Sequence, residues 1–249
     1  MKAETKQKII EWNARNILIN RNSLLSSYKF TEGTREDLVC ISRMNPTSVD
    51  SYNTLIVPSF IEHIEDCAFS DVDVTKLVLN GTKIIGICAF QGSNIKELSI
   101  KGADTILTGA FMVNKFRRVI VEANNLSADS FSLNHELEEI TIKSHSLYID
   151  GIPFRDCGSL ERIVFDCREV LIKAPVYDQD GVIFDFSGVK RVRMKHMPVG
   201  FFGTVYASFY IKVNNTNKTS ILQQLRGLYG DLEITEEEEN MFYVKAYKK

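Results

Sequence analysis

Phenylalanines 69, 90, 111, 131 and 154 each end a short motif: Cys67-Ala68-Phe69, Cys88-Ala89-Phe90, Gly109-Ala110-Phe111, Asp129-Ser130-Phe131 and Ile152-Pro153-Phe154. They recur at intervals of 21, 21, 20 and 23 residues. A fixed period of this length is the mark of a stacked repeat and constrains the fold more than any single segment does. Two further apolar columns keep the same interval: Ile64, Ile85, Ile106, Leu126 and Ile149 upstream, and Val74, Ile95, Phe116, Leu137 and Leu160 downstream. Each unit then enters a short alternating run: Leu77-Val78-Leu79, Leu98-Ser99-Ile100, Val119-Ile120-Val121, Ile140-Thr141-Ile142, Ile163-Val164-Phe165 and, less regularly, Val192-Arg193-Met194. Alternation of period two predicts a strand with one buried face.

A unit this short cannot bury its own apolar side chains, so neighbours must stack and share one core. The expected architecture is an α/β repeat solenoid whose strands form one parallel sheet. Six strands at ~4.8 Å make a stack of about 25 Å. Three parts are expected: a helical capping region over residues 1–53, a solenoid of about six units of 21–23 residues over 54–200 with the last units degenerate, and a small α/β cap over 201–249. Caps are needed because an open end would expose an apolar layer and unpaired strand edges. On the amino side, Thr5 can start a helix with Ile10, Ala14, Ile17, Leu18 and Leu25 on one stripe, and the single tryptophan, Trp12, lies within it. On the carboxyl side, residues 220–227 read as a short helix between strand-like segments 209–213 and 242–244, and the acidic run 236–239 reads as a solvated turn.

The repeat resembles the BspA-type leucine-rich repeats, whose units read as isoleucine-glycine-x-x-alanine-phenylalanine, then a leucine and a short strand. Ile85-Gly86-Ile87-Cys88-Ala89-Phe90 followed by Ile95-Lys96-Glu97-Leu98 is the best match. The resemblance covers about residues 54 to 170, with degenerate units to about 200. It implies a non-enzymatic leucine-rich-repeat solenoid used for recognition of proteins or surfaces.

In a parallel stack, equivalent outward positions become neighbours, so the strands carry columns across the concave face. The first column is Lys76, Glu97, Arg118, Glu139, Arg162, Arg191, and the third is Asn80, Lys101, Glu122, Lys143, Asp166, Lys195; both nearly alternate in sign. Between them run Val78, Ser99, Ile120, Thr141, Val164 and Arg193. Alternating neighbours pair with one another and leave a mildly apolar stripe rimmed by charge, the usual composition of a protein-binding surface. Another protein is therefore the expected partner. The basic cluster Lys190, Arg191, Arg193, Lys195 and His196 is a candidate anion contact. Nucleic acid is not the default partner, since 30 basic and 32 acidic side chains give a net charge of -2.

Catalysis and metal binding leave local spacing that is missing here. His63, His135, His145 and His196 are scattered without H-E-x-x-H, and there is no nucleophile elbow, P-loop or dinucleotide fingerprint. Cys40, Cys67, Cys88, Cys157 and Cys167 form an odd set without zinc spacing. They read as reduced thiols, although Cys67 and Cys88 share a repeat position that suits a disulfide in an oxidising compartment. No enzyme, metal or cofactor is expected. The charged start excludes a secretory core, and no run reaches the ~18 to 20 apolar residues of a membrane span. An intracellular binding module is the leading expectation; a mobile-element inhibitor of a host defence enzyme, a surface adhesin and a nucleic-acid binder are the alternatives.

Overall fold

The computed structural model describes residues 28–32, 39–43, 51–57, 59–196, 198–199, 206–228 and 231–247, together with Gln7. The repeat builds two parallel ladders rather than one. The first joins β3 (Ser51–Val57), β5 (Asp73–Asn80), the amino halves of β7 (Glu97–Ile106), β8 (Arg118–Ser127), β9 (Glu139–Asp150) and β10 (Arg162–Ile172), and then β11 (Ile183–Asp185). The second joins β4 (His63–Ile64), β6 (Ile84–Ile85), the carboxyl halves of β7 to β10, and β12 (Arg191–Met194). Each long strand bends at a corner, marked by register shifts between Ile100 and Ala103 and between Glu122 and Asn125. Small buried side chains, Ala103, Ala123 and Cys167, point inward at the bend, where converging walls leave little room.

These ladders correct the expectation of one short strand per repeat, although the strands remain joined in one continuous sheet. The upstream isoleucine column, from Ile64 to Ile149, is the buried face of the second ladder, whereas alternation alone had marked only the first. The repeats also close with turns and strands and contain no helix among the described residues, so the α/β label holds only for the carboxyl cap.

Between the ladders the phenylalanines stack: the rings of Phe69 and Phe90 lie 5.0 Å apart, Phe90 and Phe111 5.4 Å, Phe111 and Phe131 5.2 Å, and Phe131 and Phe154 5.9 Å. All five are fully buried, and each contributes ~2 to 3 kcal/mol through removal of apolar area from water. Beneath them runs a polar ladder. Ser93 Oγ donates to the carbonyl of Phe69 at 2.7 Å, and Asn114 Nδ2 to those of Phe90 and Phe111 at 2.9 and 3.1 Å. Asn134 Nδ2 donates to Phe111 O at 3.0 Å, and Cys157 Sγ contacts Phe131 O at 3.2 Å. These side chains satisfy turn carbonyls that no strand pairs, as buried backbone requires.

The turns also need left-handed backbone. Cys67, Cys88, Gly109 and Asp129 form one column of positive φ, from 54° to 66°; Asp71, Gly92, Val113, Leu133 and Asp156 form another, from 55° to 68°.

Apart from the single helical residue Gln7, the described part of residues 1–53 is strand. β1 (Tyr28–Glu32) pairs antiparallel with β2 (Val39–Arg43), which adds in parallel to β4 and so covers the start of the second ladder. The helical amino-terminal cap is not supported here; the helix expected from Thr5, with Trp12, lies outside the described residues. At the other end, β11 pairs in parallel with β13 (Tyr206–Lys212), followed by antiparallel β15 (Met241–Tyr247) and β14 (Leu232–Glu238). The acidic residues 236–238 thus belong to an edge strand, where charge discourages sheet extension, rather than to a solvated turn. Helix α1 (Lys218–Leu228) opens on Asn214, whose Oδ1 accepts from the N–H groups of Thr216 at 2.9 Å and Asn217 at 3.0 Å. It lies beside β12. Gln224 Oε1 accepts from the Met194 N–H at 2.8 Å and Nε2 donates to the Val192 carbonyl at 2.9 Å, so one side-chain amide occupies the edge of the last strand.

Candidate functional site

On the outward face of the first ladder, registers align Lys76 with Glu97, Arg118 with Glu139, and Glu139 with Arg162. The apolar column aligns as expected through Val78, Ser99, Ile120, Thr141 and Val164. It also gains a residue that repeat counting missed: Ile56 pairs with Val78 and heads the stripe. Ile56 and Ile120 are 59% and 56% exposed, the largest values among the exposed bulky apolar side chains. The signal was present in the alternation of Leu55-Ile56-Val57, which precedes the first alanine-phenylalanine motif.

The sixth rung differs from the sequence expectation. Arg162 and Val164 neighbour Ile183 and Asp185 of β11, not Arg191 and Arg193. Residues 191–194 pair instead with the carboxyl half of β10, with Arg191 beside Glu169 and Arg193 beside Leu171. Arg193 therefore leaves the first-ladder surface, and Lys195 leaves the column of Asp166. Regular alternation drew Val192-Arg193-Met194 into the first ladder, whereas Ile183-Phe184-Asp185 carries the inward residues there.

Charges on the first face are largely paired. Lys76 Nζ meets Glu97 at 2.8 Å and Lys143 meets Asp166 at 3.8 Å. Arg118 turns to Glu138, at 3.6 Å, rather than to Glu139, and Arg117 shares that carboxylate at 2.7 Å. Arg162 pairs with Asp185, a carboxylate only 2% exposed. Burial opposes ionisation of Asp185, but hydrogen bonds from Ser187 and Arg162 outweigh it and hold the carboxyl below its usual range. A shallow open depression of about 500 Å³ lies on this face, floored by Ser99 and Ile120 and rimmed by Glu97, Lys101, Arg118, Glu122 and Lys143.

The candidate anion contacts Lys190, Arg191, Arg193 and Lys195 are all exposed on or beside β12. Among the described residues no three His, Cys, Asp or Glu side chains are placed to hold a metal ion, and no helix is long and apolar enough to cross a membrane. Cys67 and Cys88 are free thiols on adjacent turns. Burial and the neighbouring Cys67 both push the Cys88 thiol up.

One solved structure compares with the chain: a leucine-rich repeat protein from Bacteroides ovatus, 13% identical, covering 68% of this chain and 75% of that one at a TM-score of 0.31. That score is too low for any conclusion to rest on it. No curated protein matches the sequence. The family model for the BspA type leucine rich repeat region matches in six copies over residues 47–161. That interval contains all five alanine-phenylalanine-type turns and the strands that carry the outward stripe from Ile56 to Thr141; residues 47–161 belong to the BspA-type leucine-rich-repeat family.

Proposed function

We propose that the protein is a non-enzymatic binding module that holds a protein partner against the outward face of its first ladder. The carrying observation is the outward apolar line on the first ladder, in which Ile56 and Ile120 are exposed and Val78 and Val164 half-buried, between columns that carry ion pairs. Exposed apolar side chains cost little in the free protein when they stand singly, but four on one face, separated only by the small Ser99 and Thr141, make the kind of patch that marks an interface. Because the flanking cations and anions already pair, they set register and exclude wrong partners more than they supply affinity.

The test is affinity capture by the tagged protein from lysate of its own host, at low and at raised salt, compared with Ile120→Glu together with Val164→Glu. Both side chains point away from the core, so the double variant folds. A protein retained by the parent at raised salt and lost by the variant supports the assignment. Retention unchanged by the variant moves the contact off this face.

A further inference from the structure

The two faces treat charge differently. On the first ladder most cations meet carboxylates: Lys76, Arg118, Lys143 and Arg162 each have an ion pair. At the carboxyl end of the second ladder they do not: Arg168, Lys190, Arg193 and Lys195 are exposed and have no ion pair among the described residues. Register brings them together. Arg168 and Lys190 are neighbours at the corner, where the Lys190 N–H donates to the Arg168 carbonyl at 3.0 Å, and Lys195 follows Lys173 on the next rung, with its N–H on Ile172 at 2.8 Å. Only Arg191 is neutralised, by Glu169 at 3.0 Å. Between these cations Tyr148, Leu171 and Arg193 lie side by side on three strands, and the surface dips into a shallow concavity of about 230 Å³.

We propose that this end of the second ladder is a second docking surface, independent of the first face, for an acidic segment of a protein carrying an apolar side chain. The four unpaired cations supply the complementary charge, and the half-buried Leu171 supplies a floor for the apolar anchor. Nucleic acid fits less well. The cluster spans three rungs, ~10 Å, too short to follow many phosphates. The ring that a base would stack on is already covered, since Lys173 Nζ sits 4.7 Å from the centre of Tyr148.

The experiment is fluorescence anisotropy with the full chain and three labelled probes: a dodecapeptide of glutamates around one central phenylalanine, the same peptide with alanine at its centre, and a 20-base-pair DNA duplex. The first peptide is expected to bind best, to weaken at least threefold on losing the phenylalanine, and to weaken at least tenfold in Arg193→Glu with Lys195→Glu. The pair Arg168→Glu with Lys190→Glu, at the corner, is expected to act in the same direction, while Lys76→Glu on the first face leaves binding unchanged. No binding, equal binding by all four proteins, or tighter binding of the duplex with loss in the same variants would overturn the proposal.

Discussion

Replacing Asn134 with alanine tests what holds the turns together. Asn134 is fully buried; its Oδ1 accepts from the backbone N–H of Asn114 at 2.7 Å, and its Nδ2 donates to the carbonyls of Phe111 and Phe131. After truncation the Phe111 carbonyl keeps the bond from Asn114 Nδ2 at 3.1 Å, and the Phe131 carbonyl keeps the Cys157 thiol at 3.2 Å. The Asn114 N–H is left without a partner, which costs ~1 to 3 kcal/mol. Two lost bonds to carbonyls that retain another partner add ~1 kcal/mol each, and the vacated volume adds ~1 more. The expected loss is therefore ~4 to 6 kcal/mol. Ser93→Ala removes one short bond, to Phe69 O at 2.7 Å, with a long contact to Gln91 O at 3.4 Å, and is expected to cost only ~1 kcal/mol. Urea unfolding followed by far-ultraviolet circular dichroism reads both, and an unchanged m-value confirms that the same transition is compared. If Asn134→Ala costs no more than Ser93→Ala, the side-chain ladder is not what satisfies the turns, and the reasoning fails.

Four further outcomes follow from local geometry. A Cβ added at Gly86 would lie 2.6 Å from the Glu65 carbonyl carbon and 2.7 Å from Asp66 N and Ile64 O, all backbone, so Gly86→Ala is expected to lower stability by ~1 to 3 kcal/mol in the same urea assay. Val113 is 45% exposed and holds φ at 58°, where the preceding turn has Gly92; Val113→Gly relieves left-handed strain of ~1 to 2 kcal/mol against a ~0.5 to 1 kcal/mol gain in unfolded-chain entropy, so a small rise in unfolding midpoint is expected. Burial pushes the thiols of Cys157 and Cys167 up to about 12, so iodoacetamide at pH 8 should label exposed Cys67 in the native protein and reach the other two only on unfolding, as read by peptide mass spectrometry. The folded thiols hold protons that the unfolded chain releases, so the same pair makes stability fall as pH rises from about 9 toward 12.

The period, the buried columns and the exposed stripe were legible in the residues because each depends on spacing along the chain. Phe69 to Phe154 must stack if units of equal length stack, and Val78, Ile120 and Val164 must point out if Leu77, Val119 and Ile163 point in. Asn114, Asn134 and Cys157 could be seen as one column, but not as hydrogen-bond donors to the preceding turns, since that requires knowing which carbonyls the strands leave unpaired. The pairing of Arg118 with Glu138 instead of Glu139 was invisible for a similar reason: the reach of a long side chain is set by the twist between strands, not by register.

What the sequence alone determined is therefore a stacked BspA-type repeat with a defined inside and outside. The tertiary structure decided that each strand bends at Ala103, Ala123 and Cys167 into a second ladder, and that β11 rather than β12 continues the first. The physical reason is that alternation reports only which side of a strand is buried. Two strands with the same alternation can join different walls of the solenoid, and the choice between Ile183-Phe184-Asp185 and Arg191-Val192-Arg193 rests on where β10 turns its corner. That choice removes Arg193 and Lys195 from the self-paired face and gathers them with Arg168 and Lys190.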